Sequence, residues 1–487
     1  MDEPPKVLFC TPEATPFAKT GGLADVCGSL PLALSRLGCE VRLVMPAYLG
    51  IPRSALRPVA RVHIPLGDAL YEGTVLEGAL GNGEVPVYFV DAQFFHRPGL
   101  YGEEGKDYPD NLARFAFFCR AVLEFLKDLP WHPDLLHCHD WQTALIPVYL
   151  KTIYTELPCR TVLTIHNLAY QGVFPPEHFP LLGLPSSLFT VEGLEFWGKV
   201  NLLKGGILFA DVLTTVSPTY AQEIQTEEFG CGLEGVLRKR SQDLFGILNG
   251  IDTTTWDPAV DPYLPQNYTI DDLRGKAVCK RVLQEELCLN VDEEAFLVGM
   301  VTRLVEQKGL DLVAAILGRL FSKGGQFALL GVGDPRYHDL FSDMARRYPG
   351  QMALRLAFDE GLAHRIEAGA DCFLMPSRYE PSGLNQLYSL RYGTIPVARR
   401  TGGLADTVVD CTPETLANGM ATGFVFDRYD PEALWEALER AMAAFQDKSL
   451  WRRLQEAGMR GDFSWERASR QYLQLYARVL KKEGGNL

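Results

Sequence analysis

Arg303 and Lys308 stand in Thr302-Arg303-Leu304-Val305-Glu306-Gln307-Lys308-Gly309, directly behind the apolar run Phe296 to Val301 and ahead of a helical pattern that begins at Leu310. A planar guanidinium grips two phosphate oxygens at once and an ammonium adds a mobile point charge, so the pair suits a diphosphate. Two solvated surface cations explain this stretch equally well when it is taken alone. A second candidate is Met375-Pro376-Ser377-Arg378-Tyr379-Glu380-Pro381-Ser382-Gly383-Leu384, where a strand pattern gives way to a glycine-containing helix start. Glu380 can accept hydrogen bonds from hydroxyls, and the N–H groups after it can face a phosphate; a glutamate capping a helix is the plainer alternative. The third is Lys19-Thr20-Gly21-Gly22-Leu23-Ala24-Asp25, shortly after Thr11-Pro12-Glu13. Its two glycines let a ligand approach the backbone, a helix amino end offers free N–H groups, and Lys19 adds charge, which together make an anion cradle. A Gly-Gly helix start with a solvated lysine is the bland reading of the same residues.

Two further segments, His137-Cys138-His139-Asp140-Trp141 and Thr164-Ile165-His166-Asn167, end strand patterns. Strand alternation sends His137 and His139 to one side, which raises metal ligation, but no third ligand stands nearby in sequence. Nor does the chain contain Asp-x-Asp to hold magnesium against a phosphorylated ligand. Asp140 and His166 suit hydrogen bonding to a polyhydroxyl compound, with a satisfied structural histidine as the default for either ring. Gly331-Val332-Gly333-Asp334 lacks the third glycine of a dinucleotide fingerprint.

These segments share a position: each follows a short apolar, β-branched run. Such runs recur at Val7 to Cys10, Val41 to Met45, Val87 to Val90, Asp134 to Cys138, Thr161 to Ile165 and Val212 to Val216. They recur again at Leu244 to Leu248, Phe296 to Val301, Phe327 to Leu330, Ala353 to Ala357, Cys372 to Met375 and Ile395 to Val397. Helical patterns such as Leu30-Ala33-Leu34-Leu37 separate them, so the expected class is α/β with two domains of mostly parallel sheet. Open parallel sheets bind ligands beyond the carboxyl ends of their strands, where all the candidates fall. The run at Leu244 is expected to open the second sheet, with an unpatterned connection over Asn249 to Asn267 behind it. The expected domains are 1–244 and 245–462, followed by an amphipathic helix in 463–487 marked by Trp465, Ala468, Tyr472, Leu475, Tyr476 and Val479. Lys19-Thr20-Gly21-Gly22-Leu23-Ala24-Asp25 also returns as Arg400-Thr401-Gly402-Gly403-Leu404-Ala405-Asp406, which predicts a similar Gly-Gly turn in each half.

Composition excludes several classes. The 487 residues are 47% hydrophobic and 22% charged, ordinary globular proportions with room for two or three domains. A net charge of −14 repels long polyanions, so nucleic acid is not an expected partner. Eleven scattered cysteines without Cys-x-x-Cys fit a reducing cytoplasm better than a disulfide framework or a structural zinc. The acidic start Met1-Asp2-Glu3-Pro4-Pro5 does not read as a secretory leader, and no apolar run is long enough for a membrane span.

KTGGLADV at 19–26, HCHDW at 137–141, TIHNLAYQG at 164–172, SPTYAQEI at 217–224, GILNGID at 246–252, TRLVEQKG at 302–309, RYEPSGLNQLYSLRYGT at 378–394 and RRTGGLADTV at 399–408 resemble, in order, the bacterial glycogen synthases and plant starch synthases. The resemblance implies two Rossmann-like doubly wound domains facing across a cleft (the GT-B type), with the last helix crossing back to the first domain. The first domain would be the acceptor side and the second the nucleotide-sugar side. It implies transfer of glucose from ADP-glucose to the nonreducing 4-hydroxyl of an α-1,4-glucan with retention, and no metal or other cofactor. By motif match Arg303 and Lys308 would hold the diphosphate, Lys19 would assist, Glu380 would take the glucose hydroxyls, and Asp140 and His166 would position donor and acceptor. Gly21, Gly22, Asp25, Asn167 and Asn249 would line the substrate site from the first half. Tyr379, Ser382, Gly383, Leu384 and Thr401 would do so from the second. Tyr379 and Ser382 depart from the phenylalanine and cysteine of many relatives. A transferase of this architecture using UDP-glucose or a small acceptor, and a catalytically silent glucan-binding homologue, are the competing expectations.

Overall fold

The structure, a computed structural model, describes residues 4–103 and 105–481. Met1-Asp2-Glu3 of the acidic start, Glu104, and positions 482–487 of the expected last segment lie outside the described residues. The chain forms two compact units, Met1–Gly250 with Trp465–Leu487, and Ile251–Ser464.

The first unit is built on a nine-stranded sheet. From one edge its strands are Leu244–Gly246, Val212–Thr215, Arg160–Ile165, Leu135–His139, Lys6–Cys10, Glu40–Pro46, Val85–Asp91, Ala69–Leu80 and Arg57–Leu66. The first seven pair in parallel and the last two form an antiparallel hairpin turning at Gly67-Asp68. Val7, Leu8, Phe9 and Cys10 are all fully buried, as an unbroken apolar run must be when helices cover both faces of its sheet. Strand order reverses at Lys6–Cys10, so the loop to the helix Gly22–Arg36 and the loop after His139 leave the sheet at its topological switch.

Leu244–Gly246 corrects an expectation. It pairs in parallel with Val212–Thr215, Leu213 opposite Leu244, and so closes the first sheet instead of opening the second. The helices Pro218–Glu223 and Glu234–Lys239 between the two strands make the crossover that returns the chain to the adjacent edge. Only at Ile251 does the chain enter the second unit, where the Ile251 N–H donates to the Phe463 carbonyl at 2.8 Å. The connection beyond it is irregular, as expected, but pinned. Trp256 stacks between His364 and Tyr388 with ring centroids 3.7 Å away on each side, and Asp261 accepts from the Tyr392 hydroxyl at 2.6 Å.

The second unit carries a six-stranded, all-parallel sheet in the order Met352–Arg355, Gln326–Leu330, Leu297–Val301, Cys372–Met375, Ile395–Arg399, Phe424–Phe426. Its order reverses between Leu297–Val301 and Cys372–Met375, the two strands that precede Arg303 and Glu380.

The last helix, Trp465–Lys481, buries Trp465, Ala468, Tyr472, Leu475, Tyr476 and Val479, the stripe legible in the sequence, in the core of the first unit. Among the described residues no helix is long and apolar enough to cross a membrane.

Candidate active site

Each unit gathers its candidate residues at its own switch point. In the second unit the turn Glu306–Lys308 brings Lys308 to Glu380, with Nζ 2.6 Å from Oε2. Only 17% of the lysine side chain and 7% of the glutamate's meets solvent, and the Ser377 hydroxyl donates to the same Oε2 at 2.9 Å. The two loops are also joined by backbone: Arg378 N–H donates to the Gln307 carbonyl at 2.8 Å and the Gln307 amide donates to the Tyr379 carbonyl at 3.1 Å. A buried carboxylate so held is a fixed acceptor, and the ammonium beside it is a cation with donors to spare. Arg303 is exposed, and its guanidinium has no hydrogen bond or ion pair among the described residues. The structure therefore brings Lys308 and Glu380 together and leaves Arg303 on the strand end beside them with its fork unoccupied.

Ser382 and Thr401 are buried and Gly383 takes a left-handed φ of 68° just before the helix Asn385–Arg391, whose flanking residue is Leu384. The repeated Gly-Gly turn is packed directly under Glu380. A Cβ on Gly402 would lie 1.9 Å from the Glu380 carbonyl oxygen, and Gly403 N–H donates to that same oxygen at 3.0 Å. Gly331 and Gly333, weak as a dinucleotide signature, have a packing reason. A Cβ at either would strike the carbonyl of Thr302 or Leu304, at 1.8 and 2.3 Å.

The first copy of the turn is built differently. Thr20 is held by Glu13, a buried carboxylate that accepts from the Thr20 N–H at 2.5 Å, the Thr20 hydroxyl at 2.6 Å and the Tyr101 hydroxyl at 2.5 Å. Gly21 then enters the helix in an extended conformation with nothing within 4 Å of where a Cβ would stand. Gly22 is the first residue of the helix, and Lys19 Nζ pairs with Asp25 Oδ1 at 2.7 Å, both side chains partly exposed. The result is an open backbone edge beside a cation. Glu13 and Tyr101 were missed by sequence reasoning. The one available signal was a carboxylate directly after the first strand, and nothing there shows that it folds back seven residues along the chain.

Beside this loop, Asp140 adopts a left-handed φ of 57° and its Oδ1 accepts the His166 N–H at 2.7 Å. His139 Nδ1 and His166 Nε2 lie 3.0 Å apart, so one ring donates to the other. His137, on the same side as His139, is engaged elsewhere: Nδ1 lies 2.8 Å from the Tyr476 hydroxyl and Nε2 2.6 Å from Thr164 Oγ1. The Asn167 side chain accepts the Ala169 N–H at 3.1 Å and shapes the loop. Asn249 is half-buried behind the edge strand at the end of the first unit.

Burial raises the Asp140 carboxyl to about 7, against the pull of the His166 and Asn167 N–H groups. Burial also lowers His137 and His166 to about 3, so both rings are neutral at ordinary pH. The two effects have opposite signs. Asp140 binds its proton more tightly when folded, so its stabilising contribution is complete below about pH 4 and is lost as pH rises through about 7. Asp140→Asn removes that loss, and its melting temperature relative to the parent is expected to improve from about pH 5 to about pH 8. Calorimetry across that range checks this, and a flat difference contradicts it. The histidines resist protonation only when folded, so they withdraw stability as pH falls from about 6.5 toward about 3.

Residues 6–239 match the family model described as starch synthase catalytic domain, and residues 288–458 match glycosyl transferases group 1. A glycogen synthase of Anaeromyxobacter dehalogenans is 51% identical over 480 residues, covering 97% of this chain and 99% of that protein. Glycogen synthase 2 of Nitrosococcus oceani is 48% identical over 98% of both chains. The catalytic domain of starch synthase IV from Arabidopsis thaliana, solved bound to ADP and acarbose, superposes with a TM-score of 0.91 at 37% identity, covering 99% of this chain and 100% of that one. Sucrose-phosphate synthase from Thermosynechococcus elongatus, at 17% identity and a TM-score of 0.62 over 98% of this chain and all of that one, shares the fold alone. Near-complete coverage at about half identity, on two Rossmann-like units whose switch points carry the matching motifs, makes this chain a member of the glycogen and starch synthase family of GT-B glycosyltransferases.

Proposed function

We propose that this glycosyltransferase moves glucose from ADP-glucose to the nonreducing 4-hydroxyl of an α-1,4-glucan, with retention at the anomeric carbon and release of ADP. The observation that carries the reading is the Lys308–Glu380 pair at 2.6 Å, a cation and a hydroxyl acceptor fixed side by side at one strand switch. Glu380 takes donor glucose hydroxyls, and Lys308 with the unoccupied fork of Arg303 takes the diphosphate and offsets the charge that grows on it as the sugar departs. Lys19 beside Gly21 and Gly22 is assigned a share of the phosphate charge, and Asp140, His166 and Asn167 are assigned to the sugars. With protein cations in that role, the reading requires no metal or other cofactor.

Glu380 is held through Oε2 by Lys308 and Ser377, and Asp140 through Oδ1 by the His166 N–H, which suits both as fixed hydrogen-bond acceptors. Retention is assigned to attack on the face the phosphate leaves, with a phosphate oxygen accepting the proton of the acceptor hydroxyl. The ADP seen with the Arabidopsis catalytic domain supports the choice of donor nucleotide. All eleven cysteines are free thiols, which supports a reducing compartment, and we assign the enzyme to the cytoplasm.

The test is donor competition with glycogen as acceptor. Labelled glucose is expected to enter the polymer from ADP-glucose in preference to UDP-glucose. Transfer only from UDP-glucose, or only to a mono- or disaccharide, overturns the reading.

A further inference from the structure

The strand Glu195–Phe196 returns as Lys199–Asn201 through a two-residue turn, Trp197-Gly198, in which Phe196 pairs with Lys199. Both turn residues have positive φ, 52° for Trp197 and 75° for Gly198. Such a turn favours Asn-Gly, and a bulky residue at its first position is strained. The strain brings no burial in return, since Trp197 is 83% exposed, the most exposed large aromatic after Phe358 among the described residues. A local conformational cost without a stability gain is the pattern of residues kept for contact with something else.

The turn is tied to the candidate site by hydrogen bonds. Gln171, buried on the loop that begins at His166, donates to the Cys231 carbonyl at 3.1 Å and accepts from the Asn201 side chain at 2.6 Å. Leu202 N–H and Leu203 N–H donate to the carbonyls of Gly172 and Gln171, each at 3.0 Å. The His166–Gly172 loop, the 195–201 hairpin and the 231–232 turn are thus one piece. Gly232 lies under the aromatic pair, its would-be Cβ 2.9 Å from Phe196 Cζ and 3.5 Å from Trp197 Nε1, so the indole is propped at one edge and open on its face. On the loop itself Tyr170 is 54% exposed.

We infer that Trp197 is a stacking platform for the α-glucan acceptor, set on the structural piece that carries His166, and that it holds polymer rather than the reacting sugar. The inference rests on the function proposed above. An indole face offers large apolar contact at little conformational cost and matches the C–H face of a pyranose.

Trp197→Asn separates this role from a structural one, because asparagine is the residue the turn favours. The full-length variant is expected to melt no lower than the parent and to keep its KM for ADP-glucose. Its Kd for glycogen, read by retardation in glycogen-containing native gels, and its KM for glycogen are expected to rise about tenfold, as loss of an aromatic anchor does. Trp197→Tyr restores most of the retardation. Unchanged retardation of Trp197→Asn overturns the inference, as does a change of oligomeric state in sedimentation at unaltered glycogen affinity, which assigns the indole to self-association. A parent protein that binds glycogen through Trp197 yet transfers no glucose from ADP-glucose sinks the functional reading and leaves the platform standing.

Discussion

Lys308→Ala lowers turnover about a hundredfold while the protein stays folded, the loss expected when one charge contact to a departing diphosphate is removed. Two effects act together in this variant. The leaving group loses a cation, and the Glu380 carboxylate, mostly buried and 2.6 Å from the missing ammonium, loses its counter-charge. The second effect costs stability on the order of 2 kcal/mol, a fraction of what holds a domain of this size together. Adding Glu380→Gln separates them: the double variant regains stability because the unpaired charge is gone, but it does not regain turnover. Arg303→Ala is expected to lower turnover about a hundredfold with no change in melting temperature, since the guanidinium has no partner to lose among the described residues. Initial rates with ADP-glucose and glycogen, paired with thermal melts, read both quantities. Near-normal turnover in both single variants would refute the phosphate assignment.

The duplicated glycine turn gives the second large effect, and its two copies respond in opposite ways. Gly402→Ala forces a Cβ to within 1.9 Å of the Glu380 carbonyl oxygen at a φ of 46°, so backbone must move. The displaced residue is the one that carries the acceptor carboxylate, so this variant loses about 3 kcal/mol of stability and most of its turnover together. Gly21→Ala, the matching change in the first unit, meets nothing within 4 Å and sits in extended backbone that any residue adopts. Its melting temperature stays put. If the open edge at Gly21 is where the donor approaches the backbone, its KM for ADP-glucose nonetheless rises about tenfold. A Gly402→Ala protein that melts with the parent contradicts the packing under Glu380, and an unmoved donor KM in Gly21→Ala removes that glycine from the site.

Where the sequence was readable, the reason was burial on both faces. Val7 to Cys10, Phe296 to Val301 and Cys372 to Met375 stand out because helices cover them on either side, and their carboxyl ends located Glu380, Arg303 and the Lys19 turn without coordinates. The terminal helix was legible for a related reason, its single apolar stripe having only one way to be satisfied. The hairpin Arg57–Leu66 and Ala69–Leu80 escaped because only one face is covered, and the alternating Val62, Ile64 and Leu66 are interrupted by Pro65. Leu244 was assigned to the wrong sheet because a three-residue edge strand looks the same whichever sheet receives it; pairing with Val212–Thr215 is a long-range fact. The site was half visible. Residue types pointed to Lys308 and Glu380, but their pairing, the Glu13–Thr20 clasp and the His139–His166 contact depend on loops meeting in space.

The helix Trp465–Lys481 seats Tyr472 and Tyr476 in the core of the first unit, with the Tyr476 hydroxyl against His137, although the whole second unit precedes it in the chain. On the ribosome, therefore, the amino-terminal half emerges with a gap in its interior that is filled only by a helix made after the second unit. The second unit is threaded into the first as an insertion, so the first cannot be completed before the second has been made.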